Sequence, residues 1–158
     1  MYGRYLRISF ERLKELQSQP EALEEFLSCV LPRFEDQFFD LNRFFYDLHC
    51  YLGELPLPDS LWREWGVRSR YTSGEIGKKI ENVSYGVGSV RFVTPNEVQA
   101  IVNALRSASQ EEFMNAFREN YPTRQEDDYD WVLSIYQEWI QFLQTAAQEG
   151  QAVLFWMT

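Results

Sequence analysis

Residues 126–158 read EDDYDWVLSIYQEWIQFLQTAAQEGQAVLFWMT, and the pattern changes once, at Gly150. Before the glycine, apolar side chains recur every three or four residues, which is the period of an α-helix. Trp131, Ile135, Trp139, Phe142, Leu143 and Ala146 mark the centre of an apolar arc that Leu133 and Ile140 widen, so the helix is expected to be buried on two sides. Gly150 stands where helices commonly stop, and residues 152–157 then read as an apolar terminal strand. A long helix running into a buried strand predicts a sheet that helices cover.

The chain upstream supplies the other pieces. Tyr5 and Arg7 alternate with Leu6 and Ile8, as in a short strand with one apolar face. Ser9 is placed to cap a helix carrying Leu13 and Leu16, and Pro20 to open a second one with Leu23, Phe26, Leu27 and Val30. Residues 89–93 alternate again, and Thr94, Pro95 and Glu97 follow as cap, first-turn proline and capping-box glutamate. Ser109 and Glu112 repeat that box ahead of Phe113, Met114 and Phe117. In DLNRFFYDLHCYLG, residues 40–53, a helix would put Leu41, Phe44, Phe45, Leu48 and Leu52 on one face. Residues 54–89 are broken by Pro56, Pro58 and five glycines, and read as turns around a short helix near Leu61–Trp65. The expected class is α+β: a small sheet of three short strands covered by amphipathic helices, with a long C-terminal helix followed by a terminal strand, in a single domain over residues 1–158.

Composition narrows the function. The chain is 45% hydrophobic and 16% aromatic, ample apolar surface to offset chain entropy. With 15 basic against 24 acidic residues its formal charge is −9, which repels nucleic acids and anionic membranes. Cys29 and Cys50 have no CxxC spacing, the first residues lack the apolar run of a secretory signal, and no stretch is apolar enough to span a membrane. A reduced, cytoplasmic setting is the expectation.

His49 is the sole histidine and adjoins Cys50. Neighbours on a helix point about 100° apart, so the pair forms no dyad, and one histidine with two cysteines does not complete a zinc site. No metal or cofactor is expected, and His49 reads as a buried ring bonded to a hydroxyl or to backbone. A pocket beside it, lined by Phe45 and Tyr46, is the alternative. The acidic run at residues 126–130 could hold a cation, but its place at a helix start favours Asp128 or Asp130 as a cap. YGVGS, residues 85–89, has the glycines of a phosphate loop but leads into a strand, so a turn is expected. Gln137, Gln141, Gln144 and Gln148 form a polar stripe that suits solvent or a second copy, leaving monomer and homodimer both open.

Charge reverses locally. Leu61 to Arg91 holds six basic residues against three acidic ones, with tryptophans among them. Trp62, Arg63, Trp65, Arg68, Arg70, Tyr71, Lys78 and Lys79 combine the aromatic and cationic types enriched at interface hot spots, and would suit a protein partner that is acidic at the contact.

Four segments, YGRYLRIS, LHCYLG, RFVTPNEV and AAQEGQAVLFWMT, resemble in sequence and order the YfbM-like family of uncharacterised bacterial proteins. That resemblance implies an α+β domain of a bacterial cytoplasmic type, and carries no established activity, cofactor or catalytic residue. The functional expectation is a non-enzymatic protein-binding module, with a small-ligand receptor or enzyme near His49 as the alternative.

Overall fold

The computed structural model describes residues 3–30, 35–42, 45–58, 61 and 77–158. Strand β1 (Gly3–Ile8) leads into helices α1 (Phe10–Ser18) and α2 (Ala22–Val30), and a short 3-10 turn precedes β2 (Phe38–Asn42) and α3 (Phe45–Glu54). After residues outside the description come β3 (Lys78–Ser84), β4 (Ser89–Val93), α4 (Pro95–Ser107), α5 (Gln110–Asn120), α6 (Glu126–Gln148) and β5 (Ala152–Met157). The fold is α+β, as expected, with the long last helix followed by a terminal strand.

Helix starts follow local chemistry. Ser9 accepts from the Arg12 amide, and Thr94 and Ser109 each complete a reciprocal capping box with Glu97 and Glu112. The Asp128 carboxylate accepts from the Gln125 amide at 3.3 Å, so one acidic residue of the run at 126–130 caps α6.

The described strands run in the order β2-β1-β5-β4-β3, with every recorded pairing antiparallel. Two of them, β2 and β3, correct the sequence reading. Residues 38–42 pair with β1 instead of continuing the aromatic helix, so Leu41 is a strand residue and α3 begins only at Phe45. Residues 78–84 are a strand and not turn. The proposed helix near Leu61–Trp65 lies outside the described residues beyond Leu61.

Side chains alternate across the sheet, and both faces are covered. Leu6, Ile8, Val90, Phe92, Leu154 and Trp156 share one face with Leu13, Leu16, Leu23 and Leu27 of α1 and α2. Tyr5, Val93, Val153 and Phe155 share the other with the apolar sides of α3, α4, α5 and α6. The first strand therefore has two buried faces, whereas its sequence suggested one.

Helix α6 buries Tyr129, Val132, Tyr136, Trp139, Leu143 and Ala146. That face is rotated from the expected arc. Trp131 lies about 100° from its centre and is 46% exposed, while Trp139 is fully enclosed.

Candidate functional site

Strand register brings Tyr5, Phe155 and Arg91 into one row on the α3–α6 side of the sheet. The Tyr5 ring stacks on Phe155 at 5.5 Å between centroids, and Phe142 of α6 meets Tyr5 edge-on at 6.2 Å. Helix α3 lays His49 over this row. The imidazole stands edge-on to Phe155 at 5.4 Å, and its Nε2 shares a hydrogen bond with the Tyr5 hydroxyl, the ring tautomer setting which group donates.

His49 is only 1% exposed. Burial pushes the Tyr5 phenol far above its ordinary value, because the phenolate would lose its hydration. The indole N–H of Trp139 faces the same hydroxyl and offsets part of that rise, although it forms no bond of ordinary hydrogen-bond geometry. A neutral phenol and an imidazole inside an aromatic shell thus fasten α3 to β1. Proton exchange with an outside substrate would first require that shell to open.

A second buried polar group lies on the same sheet face. Arg7, 8% exposed, donates from Nη2 to the Asp36 carbonyl at 2.5 Å and from Nη1 to Glu149 and Gln151, each at 3.4 Å. Its guanidinium also stands 5.4 Å from the Phe142 ring centre. Glu149 follows the last turn of α6, where the negative end of the helix dipole favours a cation. Arg7 therefore ties β1, the 3-10 turn and the α6–β5 junction together. Arg91 is buried too and donates to the Gly77 carbonyl at 3.1 Å.

Neither arginine, nor Tyr5, is marked out by the sequence as a site residue. Their only signal is a polar or amphipathic residue in a strand that proves central. Of the residues that the sequence nominated, Lys78 and Lys79 stand exposed on β3, with Lys79 registered opposite Arg91. Trp62, Arg63, Trp65, Arg68, Arg70 and Tyr71 lie outside the described residues, as do the side chains of Phe45, Tyr46 and Cys50. Cys29 is exposed on α2. Among the described residues, no three metal-ligating side chains gather, and no helix is long and apolar enough to cross a membrane.

The YGVGS segment is a hairpin turn between β3 and β4. Tyr85 N–H donates to Gly88 C=O at 3.0 Å, and Val87 N–H to Met157 C=O at 2.7 Å, so both of these amides already have acceptors. Gly86, at φ +66°, runs so close to Met157 that a Cβ there would strike its carbonyl.

An antiparallel sheet covered on both faces, with its one described histidine sealed inside, defines a small α+β domain without an assigned chemistry. The chain matches the family model of a domain of unknown function, DUF1877, over residues 1–156, and it belongs to that family. It is similar to the crystal structure of a protein of unknown function, YfbM from Escherichia coli, with 20% identity, 98% of each chain covered and a TM-score of 0.58. At that identity the likeness speaks for the fold alone. No curated protein matches the chain.

Proposed function

We propose that this DUF1877 domain is a non-enzymatic protein-binding module of the bacterial cytoplasm, a single domain over residues 1–158, acting through the basic and aromatic stretch from Leu61 to Arg91. The observation that carries the reading is the pair Lys78 and Lys79, exposed on β3 within a stretch whose six basic and three acidic residues make it locally positive in a chain of −9. Trp62, Arg63, Trp65, Arg68, Arg70 and Tyr71 precede them in the same stretch. Such a surface would attract a partner that is acidic at the contact and supply aromatic anchors for it. The enclosure of His49 against Tyr5 supports this reading over a receptor or enzyme using His49, Phe45 and Tyr46, because the imidazole is already engaged in the core.

The test is affinity capture from native lysate with wild type beside two double variants, Arg68→Ala/Arg70→Ala and Lys78→Ala/Lys79→Ala, each checked for folding by circular dichroism. Loss of the same specific protein from both variants is expected. Identical partner sets for all three proteins would refute the surface.

A further inference from the structure

The bond between Tyr5 and His49 fastens α3 to β1, but a hydroxyl and an amide would do that as well. A phenol beside an imidazole adds a chemistry that other bonded pairs lack. Removing one electron from a phenol makes its O–H a strong acid, so the electron leaves readily only where a base takes the proton at the same time. Without such a base the oxidised ring would be a cation in an apolar core, which is costly. Tyr5 is 4% exposed and shielded from bulk water, yet a base stands within hydrogen-bond reach of its hydroxyl, His49 Nε2. With the imidazole proton on Nδ1, the Tyr5 O–H donates to Nε2, and the proton has only to cross that bond.

Two further features suit one-electron chemistry. The Tyr5 ring lies between Phe155, stacked at 5.5 Å, and Phe142, edge-on at 6.2 Å, so a radical formed there is kept from coupling with another. Oxidisable rings also lead away from it. The Trp139 indole faces the Tyr5 hydroxyl, Tyr136 lies 6.3 Å from Trp139, and Tyr51 lies 6.2 Å from Tyr136, centre to centre. Stacked on Tyr136 at 4.0 Å, Phe113 continues the packed rings through Phe117 to Tyr121, which is half-buried.

We propose that Tyr5 is a redox-active tyrosine with His49 as its proton acceptor. A one-electron oxidant of the peroxyl-radical class takes an electron at the surface and is reduced to the peroxide anion. The electron deficit moves inward from ring to ring and ends on Tyr5, whose O–H bond breaks as the proton passes to His49 Nε2. The products are a neutral tyrosyl radical and an imidazolium: one electron has left the pair and the proton has stayed within it. A thiolate then returns the electron and becomes a thiyl radical, the proton crosses back, and phenol and imidazole are restored. The core thus holds one oxidising equivalent apart from the rest of the chain, independently of the Leu61–Arg91 surface.

The probe is ruthenium(III) tris-bipyridine, generated by a light flash with a cobalt(III) acceptor, and the full chain is frozen at intervals for electron paramagnetic resonance. Wild type should show a tyrosyl signal that outlasts the radicals on exposed side chains. Tyr5→Phe, which keeps the ring in its shell, should lose that long-lived signal. His49→Gln, which replaces the imidazole by a much weaker base, should lose it too, whereas Tyr85→Phe, at the half-exposed hairpin, should keep it. The proposal is overturned if wild type gives no long-lived tyrosyl signal, if Tyr5→Phe retains it or Tyr85→Phe loses it, or if His49→Gln forms and holds it as wild type does. Wild type in deuterium oxide keeps the test decisive even if His49→Gln folds poorly. After exchange of the hydroxyl the signal should rise more slowly there, and an equal rate would overturn the proton transfer to His49.

Discussion

Tyr5→Phe deletes a single oxygen from the centre of the molecule and should have two separable effects. At pH 8 the change leaves His49 Nε2 without the Tyr5 hydroxyl inside the aromatic shell, and losing one partner of a buried hydrogen bond costs about 1–3 kcal/mol. The second effect appears only in alkali. Tyr5 keeps its proton in the folded protein well above the ordinary value of 10.0, whereas the unfolded chain releases it there. The unfolded state then binds fewer protons than the folded state, so stability is fully present below pH 10 and is lost progressively as pH rises above it toward the raised folded value. For one such group the loss reaches about 1.4 kcal/mol at pH 11. Phenylalanine cannot titrate, so the variant escapes that loss. Urea unfolding of both proteins at pH 8 and pH 11 is the assay. The gap between them should narrow by about 1.4 kcal/mol, roughly tenfold in the unfolding constant, as pH rises. Charge changes elsewhere are common to both proteins and cancel in the comparison. A gap that stays the same at both pH values would show that the Tyr5 hydroxyl does not resist ionisation, and would refute the sealed site.

Other perturbations test other joints. Gly86→Ala should destabilise by more than 1 kcal/mol, roughly, because it combines a positive φ with a clash against the Met157 carbonyl; an unchanged thermal midpoint would count against the hairpin's contact with β5. Thr94→Ala removes the side-chain half of the α4 capping box and should cost about 1 kcal/mol in chemical denaturation. Arg7→Met keeps much of the length over Phe142 but loses the bonds to Asp36, Glu149 and Gln151; hydrogen exchange should speed at the α6–β5 junction while α4 stays protected. For Tyr136, burial and then the neighbouring Tyr51 raise the phenol, so Tyr136→Phe should also flatten the alkaline slope.

Local chemistry made the helices legible. Ser9, Thr94, Ser109 and Gly150 each act within a few residues of themselves, so their roles survive without knowledge of the tertiary fold. Strand β2 was hidden because FFDLNRFF carries aromatics at intervals that also suit a helix, and only its pairing with β1 decides otherwise. Strand β3, KKIENVS, has its apolar residues Ile80 and Val83 three apart, so no period-two alternation announces it. Arc and orientation on α6 differ for a related reason. With apolar residues around more than half the helix, the sequence permits several buried faces, and packing against the sheet and α4 selects the one centred on Val132, Tyr136 and Trp139, leaving Trp131 outside. His49 stood out as the sole histidine, and a hydroxyl was among its anticipated partners. That the hydroxyl belongs to Tyr5, 44 residues away, depends on where α3 crosses the sheet.

The central position of β5 governs the order in which the molecule can be made. Gly3 pairs with Met157 and Ile8 with Ala152, so β1, made before the other described strands, finds its inner neighbour only when β5 is complete. Until then β1 can pair with β2, and β4 with β3, as two separate ribbons whose inner edges remain open. The helices formed meanwhile have only part of a sheet to cover. Closing so long a loop is entropically costly and belongs to the slow class of folding reactions. Between the making of β4 and that of β5 the nascent chain therefore carries two sticky inner edges, and a single six-residue segment closes both at once.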